Sequence, residues 1–164
     1  MSLDVSLLGG FKIVDNGQLI TAIDQPRQQS LLAFLILNAH SPGSRQHIAG
    51  LFWPDLPEAQ ARNNLRQVLH QIRHALPGSD RFFDITTNTV GWRAEAPFCL
   101  DVFDVNREMA KAEEARRNND LIAERTALGQ VLSLYRGSLL PSCYEDWIIP
   151  ERERLHQLCL EALE

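Results

Sequence analysis

Residues 59–76 read AQARNNLRQVLHQIRHAL, with Pro57 just before them and Pro77-Gly78 just after. Wound at 100° per residue, Ala61, Leu65, Val68, Leu69, Ile72 and Leu76 fall within about 100° of arc, the signature of an amphipathic helix. Such a helix is stable only when its apolar stripe packs on other elements, so the chain must supply partners for it. Asn63, Gln67, His70 and His74 lie opposite that stripe, and Arg62, Arg66 and Arg73 run along one flank of the polar face. The segment holds no Asp or Glu, in a chain with 16 basic and 21 acidic residues. An ordinary solvated helix usually sets Glu four residues from Arg or Lys. The outer face here instead offers guanidinium and amide groups, which grip phosphates and read base edges. On this helix alone, a solvated polar face remains the plain alternative.

The flanking sequence supplies the packing partners. LDVSLL, FKIV and QLI, with a glycine pair and an Asp-Asn-Gly turn at 15–17, predict three short strands in a small antiparallel sheet. A first helix is expected over 27–38, capped by Asp24 with Pro26 in its first turn and apolar at Leu31, Leu32, Leu35 and Ile36. SPGS ends it, and Ser44 can cap a second helix over 45–52. Asp55 and Glu58 have capping-box spacing for the third. After that come FFDIT and VGWR, two β-prone runs around a turn at 87–89. Residues 1–97 therefore read β-β-β-α-α-α-β-β, and a three-helix unit followed by a hairpin is the layout of a winged helix-turn-helix.

From Asp101 the character changes to long helical patterns, DVFDVNREMAKAEEARRN, DLIAERTALGQVLSLY and CYEDWIIPERERLHQLCLEALE. The first two, with a short break at Asn118-Asn119, have the dimensions of a helical-hairpin repeat. Pro150 should restart or kink the last helix. Charge divides at the same place. Residues 1–97 carry eight basic and eight acidic side chains, residues 98–164 eight and thirteen. Two domains are expected, 1–97 and 98–164, in an α+β chain whose second part is all-α. The last helix places Leu155, Leu158, Cys159, Ala162 and Leu163 at helical spacing, so the helical domain reads as truncated, with this face packed back on 101–135, met by a second copy, or partly exposed.

These motifs carry a family resemblance. LLGGFKIVDNGQLI, PRQQSLLAFLIL, LFWPDLPEAQARNNLRQVLHQIRHAL and the VGWR hairpin resemble the OmpR-type winged helix of the bacterial antibiotic-regulatory-protein (SARP) activators. SLYRGSLLP and EDWIIPERERL resemble the bacterial transcriptional activator domain that follows in that family, which is similar to tetratricopeptide-type protein-binding repeats. The usual Pro-Gly-Tyr of the wing is replaced here by Val90-Gly91-Trp92. The resemblance implies a sequence-specific transcriptional activator at direct-repeat promoter sites, with double-stranded DNA and RNA polymerase as partners and self-association on tandem sites. It implies DNA contact by Arg62, Asn63, Arg66, Gln67 and His70 on the recognition helix, joined by Arg73 of the same basic stripe, and by Asn88, Thr89 and Arg93 in the wing.

Other chemistry finds little support. His70 and His74 have the spacing of a zinc pair, but Gln71 stands where a metalloprotease needs glutamate and no third ligand is evident, so no metal is expected. No P-loop, G-x-G-x-x-G or G-x-S-x-G motif occurs, so neither a cofactor nor catalysis is expected. Cys99, Cys143 and Cys159 form no C-x-x-C pair, and neither a signal peptide nor an 18-residue apolar run is present, which predicts a reduced, cytoplasmic protein without membrane contact. The competing reading is a signalling adaptor that uses both domains only to bind protein.

Overall fold

A computed structural model describes residues 2–164, which form two compact units: Asp15–Pro97, and Ser2–Val14 together with Phe98–Glu164. The expected contiguous division at 97/98 is thus modified at the N-terminus, where residues 2–14 leave the first unit for the second.

The unit Asp15–Pro97 opens with β3 (Gln18–Leu19), following strands β1 (Leu3–Ser6) and β2 (Lys12–Asp15). Then come α1 (Pro26–Leu37), β4 (Gly43–Ser44), α2 (Arg45–Phe52), α3 (Glu58–Ala75), β5 (Phe83–Ile85) and β6 (Thr89–Trp92), with a 3₁₀ turn at Ser79–Arg81. All three expected helices form. α3 buries Ala61, Leu65, Leu69 and Ile72 against α1 and α2, leaving Val68 half-buried at the edge of the stripe. Leu31, Leu32, Leu35 and Ile36 of α1 and Ile48 and Phe52 of α2 complete the same core. Trp92, fully buried, stacks on Phe82 at 5.0 Å and meets Phe83 edge-on at 5.3 Å. Trp53 is a surface-edge residue, with the Arg27 guanidinium 5.4 Å over its ring.

Three local expectations are corrected. Gln25, not Asp24, stands at the start of α1, where the Gln28 side chain turns back to accept from the Gln25 amide at 3.4 Å. The same Gln28 donates to Gln71 at 3.0 Å, and a residue with that second task in the core serves the cap without a carboxylate. Asp55 and Glu58 make no capping box; Pro57 precedes α3 and makes no side-chain cap. The hairpin is also not alone. β4 pairs with β6 through Gly43↔Val90 and Ser44↔Thr89, giving a three-stranded antiparallel sheet in the order β4-β6-β5. Ser44 does cap α2, accepting from the His47 amide at 3.0 Å. Val90-Gly91-Trp92 lies within β6 rather than at the turn, and Gly91 packs closely there: a Cβ would sit 3.0 Å from Pro42 Cβ and 3.1 Å from its Cα.

In the other unit, β7 (Phe98–Leu100) pairs parallel with β1, Leu3 opposite Phe98 and Val5 opposite Leu100, and β2 lies on the other side of β1. The expected purely antiparallel sheet is therefore mixed, with a strand from residues 98–100 that the helical reading of this region did not anticipate. α4 (Asp101–Arg117) and α5 (Leu121–Leu134) form the expected helical hairpin. Asn119 turns it in the left-handed conformation (φ 57°), and Asp120 caps α5 through the Ala123 amide at 3.1 Å. α6 (Ile149–Leu163) follows a 3₁₀ turn at Asp146–Ile148 and holds Pro150 in its first turn, so the proline lies at the start of a helix instead of kinking one.

Two local contacts explain the RGSLLP motif. Gly9 (φ 87°) and Gly137 touch backbone to backbone: a Cβ on Gly137 would lie 2.9 Å from the Gly9 Cα. Around them Gly9 donates to Ser138 O and Leu140 to Leu7 O, at 2.9 and 2.8 Å. Arg152, of the ERER sequence, then donates to the carbonyls of Leu139, Leu140 and Cys143 at 2.7–2.9 Å. Two residues on, Arg154 pairs within the helix with Glu151, at 2.6 Å.

Candidate nucleic-acid interface

The apolar stripe of α3 fixes which side chains face outward. Arg62, Asn63, Arg66, Gln67, His70 and Arg73 are all exposed. Arg66 and Asn63 are already joined, Nη2 to Oδ1 at 2.6 Å, so the amide oxygen of Asn63 orients an arginine in this state. His70 and His74 stack with ring centroids 5.2 Å apart. Arg73 differs from the other two arginines: Asp80, in the turn after the helix, pairs with it at 2.9 Å. The helix is free of acid after Glu58, but its C-terminal end borrows one from the next element.

The β5–β6 turn is built by side chains as well as backbone. The Thr86 hydroxyl accepts from the amides of Asn88 (3.2 Å) and Thr89 (2.9 Å) and lies 2.7 Å from the Thr89 hydroxyl. With the Thr86 amide donating to Thr89 O at 2.9 Å, the turn tip is Thr87-Asn88, both exposed. Arg93 lies elsewhere. Its amide bonds Phe82 O at 2.6 Å at the base of the hairpin, roughly 13 Å along the strand from Thr89 at about 3.3 Å per residue. The structure thus gathers Asn88 and Thr89 at the turn and does not bring Arg93 to it.

Between this turn and α3 lies an open cleft of about 350 Å³, lined by Arg45, Ala59, Arg62, Asn63, Arg66 and Thr87. Arg45 was not among the sequence candidates, nor was Thr87. Arg45 begins α2, and its amide donates to Asn88 O at 2.9 Å while its Nε donates to Thr86 O at 3.1 Å. The one hint in sequence was an unpaired basic residue after a capping serine. Its partner lies 41 residues away, a distance no periodicity spans.

The second unit has a larger cavity, about 790 Å³, among α4, α5 and α6. Its lining includes apolar Met109, Leu128 and Leu158 and charged Glu113, Arg125 and Glu161. On α6, Leu155 and Ala162 are buried, while Leu160 and Leu163 are exposed, as are Leu121 and Ile122 of α5. Among the described residues no cluster of three His, Cys, Asp or Glu side chains could hold a metal ion, and no helix is long and apolar enough to cross a membrane.

Comparison with known proteins gives the chain its setting. Residues 100–164 match the family model "Bacterial transcriptional activator domain". The chain is similar to the regulatory protein AfsR of Streptomyces griseus, 27% identical over 165 residues, and to that of Streptomyces coelicolor, 26% identical over 166 residues. In each case 99% of the chain is covered, but it spans only 16% of the relative's length. Its fold is similar to a solved structure of Mycobacterium tuberculosis EmbR in complex with a low-affinity phosphopeptide, with a TM-score of 0.83, 18% identity, and coverage of 98% of this chain and 43% of that one. The chain is thus similar, along nearly its whole length, to proteins described as regulatory, and its residues 100–164 carry the match to a transcriptional activator domain.

Proposed function

We propose that the chain is a sequence-specific DNA-binding transcriptional regulator of the SARP type, an activator at direct-repeat promoter sites. The unit Asp15–Pro97 serves as an OmpR-type winged helix with α3 as the recognition helix and the β5–β6 turn as the wing. The helical unit serves as the activator domain, a protein-binding scaffold whose partners include RNA polymerase, and copies associate on tandem sites in the cytoplasm. The observation that carries this reading is the outer face of α3, exposed, cationic and acid-free after Glu58, beside an exposed polar hairpin turn. In this reading Arg62 and Arg66 grip phosphates, Asn63, Gln67 and His70 face base edges, and Thr89 and Asn88 meet the flanking backbone.

The test is an electrophoretic shift on random duplex over a salt series, followed by selection of a cognate site. Binding whose logarithm falls linearly with the logarithm of salt supports the reading. Affinity unchanged in the Arg62→Ala/Arg66→Ala/Arg73→Ala variant overturns it in favour of a protein-only adaptor.

A further inference from the structure

The cleft between α3 and the hairpin turn is lined by three arginines from two helices, one asparagine, a threonine and an alanine, and by no carboxylate. Arg66 is steadied by Asn63 at 2.6 Å. Arg45 is steadied by Thr86 O, through Nε alone, leaving its two Nη groups for another acceptor. Three guanidinium groups around one open space repel one another, and nothing on the cleft wall compensates them. An anion with several acceptor oxygens would, because guanidinium N–H groups match a phosphate's oxygens in charge and geometry. The geometry points to a seat for a single phosphate group here, completed by Arg45.

Arg45 has a second task that makes the seat selective in position. Residues 43–45 are bound to the hairpin in succession, by Gly43↔Val90 and Ser44↔Thr89 pairing and then by the Arg45 bonds to Asn88 O and Thr86 O. The turn therefore keeps a fixed distance from the N-terminal half of α3, where Arg62 and Arg66 stand. A phosphate held in the cleft would set the register of both elements on a polyanion at once. The inference rests on the DNA reading above for the source of that phosphate, a duplex phosphodiester; free inorganic phosphate offers the same chemistry.

The experiment is a scan of a bound duplex in which single phosphates are replaced by neutral methylphosphonates, measured with the wild-type chain, Arg45→Ala and Arg45→Lys. At one position per site, neutralisation should weaken wild-type binding roughly tenfold, in keeping with loss of a charged hydrogen bond, and should cost Arg45→Ala little more than its own loss. Arg45→Lys should keep part of the sensitivity, since it restores charge without the two-pronged geometry. A merely structural role for Arg45 would weaken binding to every duplex alike and leave each methylphosphonate effect unchanged; that result overturns the seat while leaving DNA binding intact. If the chain binds no duplex at all, the DNA reading fails, and a titration with inorganic phosphate decides the seat separately. Saturable shifts of the Arg45 and Arg66 Nε–H resonances, absent with chloride at equal ionic strength, then support a site for free phosphate, and their absence rejects it.

Discussion

Arg152 illustrates how a single residue can be read from composition and still be misjudged. ERER looks like surface pairing, and Arg154 does pair with Glu151, yet Arg152 turns inward to three carbonyls of the 139–143 segment. Replacing it with methionine should lower the stability of the helical unit by about 3 kcal/mol, since buried acceptors left without a donor cost about 1–3 kcal/mol each and the loop can rehydrate in part. A lower urea midpoint with unchanged DNA binding would bear this out. Asp101 is the other inward charge. Its carboxylate accepts from Leu7 and Leu8 amides at 2.9–3.0 Å and from Val102 at 2.9 Å. Burial pushes its pKa above the usual carboxylate value of 3.8, and the three backbone bonds and Arg136 only partly oppose that. The folded state therefore holds this proton more tightly than the unfolded chain, so its contribution to stability is fully present below pH 3.8 and is lost as pH rises through the folded pKa. The stability difference between wild type and Asp101→Asn should shrink over that window, and carboxyl-carbon NMR should place the Asp101 midpoint above 3.8. On α3, Arg62→Ala and Arg66→Ala should each flatten the salt dependence of DNA binding by about one unit. Arg73→Ala should do less, because Asp80 already neutralises part of its charge.

At the scale of elements, the hairpin depends on contacts that its own sequence does not contain. Gly91→Ala would drive a methyl into Pro42 and should destabilise the three-stranded sheet by about 1–3 kcal/mol, the usual range for overpacking. Wing-dependent DNA contacts should weaken with it, which footprinting can follow while circular dichroism checks that the helices persist. Replacing Gln67 should relax preference at one base position at a cost of about 1–3 kcal/mol, measured by selection on randomised sites. These elements were legible in sequence to different degrees. Periodicity, with cap and breaker signals for the short α2, located all six helices, because those signals lie within each helix or at its own ends. It did not reveal β4 or β7, strands of two and three residues that have no pattern of their own and exist only through partners 45 or more residues away. The caps went wrong for a related reason. Asp24 and Asp55 have suitable side chains, yet the buried Gln28, bonded to Gln71 of α3, turns back to the start of α1, and Pro57 stands at the N-terminus of α3. The exposed face of α3 followed from its buried one; Arg45 and Thr87 could not, since the cleft joins three separate stretches of chain.

At the scale of the molecule, the unit that contains the matched activator-domain segment is not continuous in sequence. The family match begins at residue 100, but Leu3, Val5, Leu7 and Leu8 are buried within the same unit, and Asp101 is tied to Leu7 and Leu8. A chain of residues 98–164 alone should be poorly packed, with weakly dispersed NMR amide resonances. A peptide of residues 1–14 added in trans should restore dispersion, and residues 15–97 alone should fold. A well-ordered 98–164 would show that β1 is dispensable. The exposed Leu121, Ile122, Leu160 and Leu163 make the helical unit a candidate for weak self-association, to be read from sedimentation at several concentrations.

The parallel pairing of β1 with β7 also sets an order of events during synthesis. Leu3 leaves the ribosome long before Phe98, its partner in the sheet, and at about 5–20 residues per second the interval is several seconds or more. Over that interval the first strand has only β2 beside it and one edge still open, while residues 15–97 can already close around their own core. The helical unit can finish only when the chain's oldest residues are joined to some of its newest, across a loop that is already a folded body and no longer a flexible coil. The unit Asp15–Pro97 should consequently be complete on the nascent chain before the helical unit exists.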